Sequence, residues 1–401
     1  MRHGFTSGCL TAAGVLVLVA AAGPEMTTQR WDAGVIPIWA LHQDAPATTV
    51  RNPGASLLSP GSSDCPPIVD FFVTNDHLGI HYDEQRSVTE IYTLDPSISG
   101  VIRHNLDSML NRTPDTIFVN MGIVWIAEDL DSDGNVELVT QYADALRIYS
   151  APDWTLRAEF FWPGMNVVMY AGVVGLDADS DLEVYATPNS LGGTGRAVII
   201  DYDSLTGTFV KIADISTPNG AAGQSAVGDF DEDGRVEFIW GNNTFGYELY
   251  EWQGTVLSHI GLVGDSIDAM AYSAVACRPK PGGSLFALLG YSGSDLPWSY
   301  AYYLLRAIGD NLFEIDHVFA ESTPYMGIHP SQAGDVDCDA LDELVMTFNP
   351  AFRAWGWSEE QSDFVEVCTW DRATFGTLSD WYVLDLDRNS SPEWGAVSHL
   401  R

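Results

Sequence analysis

Lysine occurs only twice in this 401-residue chain, at Lys211 and Lys280, and all basic residues number 18 against 55 acidic ones. A formal charge of −37 at pH 7 leaves no basic patch of the kind that nucleic acid or an anionic membrane requires, so both are excluded as partners. Long apolar runs are scarce as well. The run from Leu10 to Gly23 is too short for a comfortable membrane span, and no later segment approaches the ~18 apolar residues of one, so membrane insertion is not expected. With Arg2 and His3 before it and Ala20-Ala21-Ala22 at its end, that run reads as a secretory signal over residues 1–22. The expected location is secreted, extracellular or periplasmic. Cysteine is rare too. Loss of Cys9 with the signal leaves Cys65, Cys277, Cys338 and Cys368, too thin a set for a disulfide-dependent fold, and one bridge or none is expected. No nucleophile elbow, phosphate loop or dinucleotide fingerprint occurs, and HLGIH (77–81) lacks the Glu of a helical zinc motif. No catalytic residue is assigned.

What the chain does have is a repeated acidic segment. WIAEDLDSDGNVELVTQY (125–142), VVGLDADSDLEVYATP (173–188), VGDFDEDGRVEFIW (227–240), AGDVDCDALDELVMTF (333–348) and YVLDLDRNSSPEWGAV (382–397) share one frame. Their closing Glu residues lie 46, 54, 106 and 50 apart. The double interval hides a degenerate copy, SAVACRPKPGGSLFALLGYS (273–292), read here with Cys277, Pro279 and Pro281 in place of the three Asp residues. CPPIVDFFVTND (65–76) keeps only the strand that follows the loop.

Between the loops, short alternating runs such as LEVYATP, RAVIIDYDS and GTFVKIADI read as strands, and helical periodicity is nearly absent. A period of roughly 50 residues with four short strands each predicts an all-β fold. The expected fold is a β-propeller of four-stranded antiparallel blades over residues 67–401, with seven blades and six as the alternative. The last hairpin lacks outer strands. Within the N-terminal segment, residues 23–66, GVIPIWALH (34–42) and ATTVRN (47–52) are expected to supply them, and 53–66 reads as a linker. SGVIRHNLDSMLNRTPDT (99–116) reads as an insertion loop.

Carboxylates at positions 1, 3 and 5, Gly at 6 and Glu at 9 suit a hard cation, since calcium accepts many oxygens at flexible angles. An EF-hand is excluded, because its Glu at position 12 is replaced by Thr140, Trp240 and Met346 and the flanks are strands. The loops resemble the FG-GAP/VCBS family of calcium-binding propeller repeats, related to the integrin α-subunit propeller, over roughly residues 65–401. That resemblance implies three to five Ca2+ ions, side-chain ligands at 1, 3, 5 and 9, and a backbone carbonyl at 7. Carried over, the ligands are Asp129, Asp131, Asp133 and Glu137; Asp229, Asp231, Asp233 and Glu237; Asp335, Asp337, Asp339 and Glu343; and Asp385, Asp387, Asn389 and Glu393. In the second loop Gly175 holds position 1, so Asp177, Asp179, Asp181 and Glu183 form a shifted set. Ser180, Ala340 and Ser390 replace the Gly at 6, each costing ~1 kcal/mol if a left-handed turn is kept.

Trp298 with Tyr300, and Trp355 with Trp357, lie two apart and so share strand faces. They are candidate platforms for a sugar ring or a protein hot spot, and blade-to-blade packing is the competing use of such residues. The expected function is a monomeric module that binds or adheres to an extracellular protein or carbohydrate ligand. The alternative is a polysaccharide lyase or hydrolase on the same fold.

Overall fold

Inner strands of the described sheets are buried on both faces while outer strands such as Thr155–Phe161 are largely exposed, as in sheets stacked around a ring. The computed structural model describes residues between 68 and 398, apart from short connections such as 218–223, 322–330, 336–338 and 385–392. All regular elements among the described residues are β-strands. Blade 1 is β2 (Leu78–Asp83), β3 (Val88–Asp95), β4 (Gly100–Leu106) and β5 (Arg112–Val119), after β1 (Ile68–Phe72). Blade 2 is β6 (Ile123–Glu128), β7 (Glu137–Tyr142), β8 (Ala145–Ser150) and β9 (Thr155–Phe161). Blade 3 is β10 (Val167–Val174), β11 (Glu183–Asn189), β12 (Gly195–Asp203) and β13 (Thr208–Thr217). Blade 4 is β14 (Ala226–Gly228), β15 (Val236–Gly241), β16 (Tyr247–Trp252) and β17 (Leu257–Val263). Blade 5 is β18 (Ala269–Cys277), β19 (Phe286–Gly293), β20 (Tyr300–Gly309) and β21 (Leu312–Glu321). Blade 6 is β22 (Gln332–Gly334), β23 (Glu343–Phe348), β24 (Ala351–Ser358) and β25 (Asp363–Asp371). These six sheets are antiparallel and ordered by sequence, as in a β-propeller.

A three-stranded sheet completes the ring. β26 (Leu378–Leu384) pairs antiparallel with β27 (Glu393–Ser398), and β27 pairs in parallel with β1. The first and last described strands are therefore joined, through 68–72; residues 34–42 and 47–52 lie outside the described residues. Because 68–72 belongs to the last sheet, the first blade begins later than the repeat count implies. β3 opens at Val88, 49 residues before Glu137, which restores the period. The expected insertion at 99–116 is instead the outer pair β4 and β5. Its polar look misleads because His104, almost fully buried, bonds Thr93 (Nε2 to Oγ1, 3.2 Å).

The core is distributed between blades rather than gathered at one centre. Ile126, Leu146 and Ile148 of blade 2 pack with Val184, Val198 and Ile200 of blade 3. Tyr185 and Ile199 meet Phe238, Trp240 and Tyr250 across the next boundary. The same arrangement joins blades 4 and 5 and blades 5 and 6. Hydroxyl clips reinforce it: Tyr247 Oη donates to the carbonyls of Ser273 and Gly290, and Ser273 Oγ lies 2.8 Å from Ser331 Oγ. Cys368 is disulfide-bonded and Cys277 is a buried free thiol.

Candidate metal centre

Each acidic segment connects the first strand of a blade to the second, so the propeller places the loops at equivalent ends of its hairpins. In blades 2, 3, 4 and 6 the last pair before the loop is Glu128–Glu137, Val174–Glu183, Gly228–Glu237 and Gly334–Glu343. Eight residues separate the members of each pair, and the closing Glu is the first or second residue of the second strand.

That Glu is among the most protected residues of the loop. Glu137, Glu183, Glu237 and Glu343 are buried, with exposures of 0%, 1%, 0% and 2%. The backbone N–H at position 2 donates to it: Leu130 to Glu137 Oε2 (2.9 Å), Leu176 to Glu183 Oε2 (2.7 Å) and Phe230 to Glu237 Oε2 (2.8 Å). Leu130 and Phe230 are themselves buried, so an apolar plug at position 2 aims its N–H at the Glu. The first Asp shapes the turn. Asp129 accepts the N–H groups of Asp133 (3.1 Å) and Gly134 (2.9 Å), Asp229 those of Asp233 (3.1 Å) and Gly234 (3.0 Å), and Asp335 those of Asp339 (3.1 Å) and Ala340 (2.9 Å). Position 6 is left-handed in all three, with φ of 85°, 87° and, at Ala340, 71°.

Three loops bring carboxylate oxygens within 4.8 Å of one another: Asp129, Asp131 and Glu137; Asp177, Asp179 and Glu183; Asp229, Asp231 and Glu237. The second set uses positions 3, 5 and 9, since Gly175 holds position 1. Asp133 and Asp233 instead accept the N–H two residues on, from Asn135 and Arg235. Asp181 is partly buried beside the second cluster, its N–H donated to Asp179. Asp337, Asp385, Asp387 and Asn389 lie outside the described residues, and Glu393 heads β27.

Burial and mutual repulsion set the electrostatics of these clusters. Burial pushes the Glu237 carboxyl up to about 8, and Asp231, Asp229 and Asp233 add repulsion. Burial likewise raises Glu137 and Glu183 to about 7. Asp131 is raised by burial and then by Asp133. Glu237 Oε1 and Asp131 Oδ1 are buried with no hydrogen-bond partner. An all-oxygen donor set with unused buried lone pairs fits a hard divalent cation.

Sequence reasoning missed two carboxylates behind the loops. Glu251 on β16 lies directly opposite Glu237, and Asp201 on β12 lies one step beyond the Val184–Ile200 pair. Glu251 pairs with Arg235 (3.0 Å) and accepts hydrogen bonds from the amides of Gln253 (2.9 Å) and Asn311. Asp201 Oδ1 is buried without a partner, and its carboxyl is raised by burial and by Asp177, Asp179 and Asp181. In blade 2 the same place holds Ser150, whose hydroxyl donates to Glu137 Oε1 (2.6 Å).

No protein-family model matches the chain, and no curated protein matches it in sequence. Solved structures do match. BBS1N in complex with ARL6DN is similar over 82% of this chain and 90% of its own, with 12% identity and a TM-score of 0.53 in one structure. The Dos1 propeller is similar over 75% of this chain and 72% of its own (10% identity, TM-score 0.48). SapL1 lectin in complex with alpha methyl fucoside covers 74% of this chain and 97% of its own (14% identity, TM-score 0.39). The likeness is one of fold.

The strand register of blade 5 revises the degenerate copy. Cys277 pairs with Phe286 as Gly228 pairs with Glu237, so Cys277 precedes the loop and Phe286 replaces the closing Glu. Counted from that pair, Arg278 holds position 1, Pro279 the buried position 2 and Lys280 position 3. The earlier alignment was displaced by one because the serine-led apolar frame was matched without the pairing.

Of the aromatic candidates, Trp355 and Trp357 lie partly buried on one face of β24 against the core shared by blades 5 and 6. Trp355 meets Phe319 at 5.5 Å and Trp357 meets Phe364 at 5.3 Å between ring centroids. Trp298 lies outside the described residues, and Tyr300 opens β20.

Proposed function

We propose that this chain is a secreted, calcium-braced propeller of the FG-GAP/VCBS type that serves as a binding module for a protein or carbohydrate ligand. The observation that carries the calcium reading is the recurrence of a three-carboxylate cluster at one hairpin position, closed by a fully buried Glu. The unpartnered Glu237 Oε1 and Asp131 Oδ1 give a cation something to bond. A bound Ca2+ would supply the positive charge; the chain's residues do the rest. The first Asp folds the loop through two N–H groups, the apolar plug fixes the Glu, and the Glu ties the loop to the second strand.

The binding reading rests on what surrounds these loops. Carboxylates that brace a hairpin are committed to structure, and the described residues offer no acid–base or nucleophilic constellation apart from them. The disulfide at Cys368 supports an oxidising compartment. In the absence of other groups, the loops and blade edges of the ring are the surface for a ligand. Calorimetric titration of EDTA-stripped protein with calcium tests the first part: three or more sites are expected, and absence of heat and of any melting shift would refute it. Glycan and protein arrays probed with calcium and with EDTA test the second. Reproducible cleavage of a polysaccharide would replace it with the lyase or hydrolase alternative.

A further inference from the structure

A hairpin built to be closed by a cation presents a difficulty in blades that lack the repeated three-Asp loop. Two of the described blades are of this kind. In blade 5 the strand register puts Arg278 and Lys280 at the positions where other loops carry their first two Asp residues. In blade 1 the connection is only residues 84–87, between Asp83 and Val88, and it contains Arg86. We propose that these two blades are braced by the protein's own cations, Lys280 and Arg86, so that the metal-responsive hairpins of the described blades are those with the repeated acidic loop, in blades 2, 3, 4 and 6. The extent of that response rests on the calcium reading above; the role of Lys280 does not.

Lys280 is placed as a resident cation would be. Its side chain is 20% exposed, and Nζ pairs with Asp316 on the outer strand β21, itself 11% exposed. The ammonium also lies 4.6 Å from the Trp357 ring centroid, 5.4 Å from Phe364 and 5.7 Å from Phe286, which ties blade 5 to blade 6. Blade 2 shows the same pair with its polarity reversed: Asp131 at position 3 faces Arg157 of the outer strand β9 at 3.5 Å. The acid has moved to the outer strand where the loop supplies the base. In blade 1, Arg86 bonds Asp83 (Nε to Oδ2, 2.5 Å) and the buried Glu90, which Arg103 also reaches at 3.3 Å. One of two lysines in the whole chain is thus committed to a hairpin that has lost its carboxylates.

Hydrogen exchange of the full chain, read by mass spectrometry with calcium and with EDTA, tests this. In the unaltered protein EDTA should speed exchange in β6–β7, β10–β11 and β14–β15 about 10-fold or more, and leave β2–β3 and β18–β19 within about 3-fold. Lys280→Met should speed β18–β19 exchange about 10-fold, equally in calcium and EDTA, and Lys280→Arg should restore most of the protection. The proposal is overturned if Lys280→Met leaves β18–β19 unchanged or calcium corrects its effect. It is also overturned if EDTA exposes β18–β19 as fully as the acidic hairpins. Should Lys280→Met not fold, the EDTA footprint of the unaltered protein decides alone. Acidic hairpins insensitive to EDTA would count against the calcium reading, while the Lys280 variants would still decide the brace.

Discussion

Replacing Glu237 by glutamine should separate the cost of the buried carboxylate from the benefit of the ion. Glu237 is 0% exposed, bonded through Oε2 to Phe230 N–H, with Oε1 unpartnered and Asp229 and Asp231 within 4.8 Å. Its carboxyl is raised from 4.5 to about 8 by burial and by those neighbours. At pH 7 the unfolded chain has released this proton and the metal-free folded chain has not, which costs the folded state on the order of 3 kcal/mol. Glutamine keeps the shape, still accepts the Phe230 N–H and never ionises. In EDTA at pH 7, Glu237→Gln should therefore raise stability by roughly 1–3 kcal/mol, an increase of a few degrees in Tm. The same variant loses a calcium ligand. At calcium ~10-fold above Kd one site contributes about 1.4 kcal/mol, and that part of the calcium-induced rise should vanish. The assay is four melting curves, two proteins with and without calcium. A lower Tm for the variant in EDTA, or an undiminished response to calcium, would refute the reasoning.

Other outcomes follow from the same geometry. Glu137, Glu183 and Glu237 all titrate above the unfolded value of 4.5 in the metal-free fold, at about 7, 7 and 8. The folded state thus holds protons the unfolded state has lost, and urea midpoints in EDTA should fall as pH rises from about 5 to 8. Saturating calcium should flatten or reverse that slope, because protons and the ion compete for the same oxygens. Asp129→Ala should lose about 1–2 kcal/mol even in EDTA, since two loop N–H groups lose their acceptor. Asp131→Asn should act mainly through a weakened calcium response, measured by titration. Ala340→Gly should gain about 0.5–1 kcal/mol by thermal melting, because Ala340 sits at φ 71°.

The repeat was legible because its signal is local. Alternating Asp residues, a Gly and a Glu fall within nine positions, and hairpin pairing follows from them without long-range information. The blade outlines between loops were equally visible as period-two strands. Blade 1 was hidden because its hairpin has a four-residue connection, 84–87, without the repeated Asp pattern. Its outer strands also carry Arg103 and His104, whose partners Glu90 and Thr93 become apparent only on pairing. Asp201 and Glu251 escaped for a related reason. They follow the closing Glu by 18 and 14 residues, because the connection between second and third strands varies in length. Proximity to the cluster was set by register, which no fixed spacing reveals. The one-residue error at Cys277 arose in the same way.

The pairing of Ile68–Phe72 with Trp394–Ser398 joins segments more than 300 residues apart. On a ribosome, β1 must wait until β27 has emerged, so this sheet forms only after more than 300 further residues have been made. Until then β1 has no partner in this sheet, and a chain truncated before β26 would leave it with an open edge. The pairing thus acts as a late checkpoint: a product that stops before β26 cannot form this sheet.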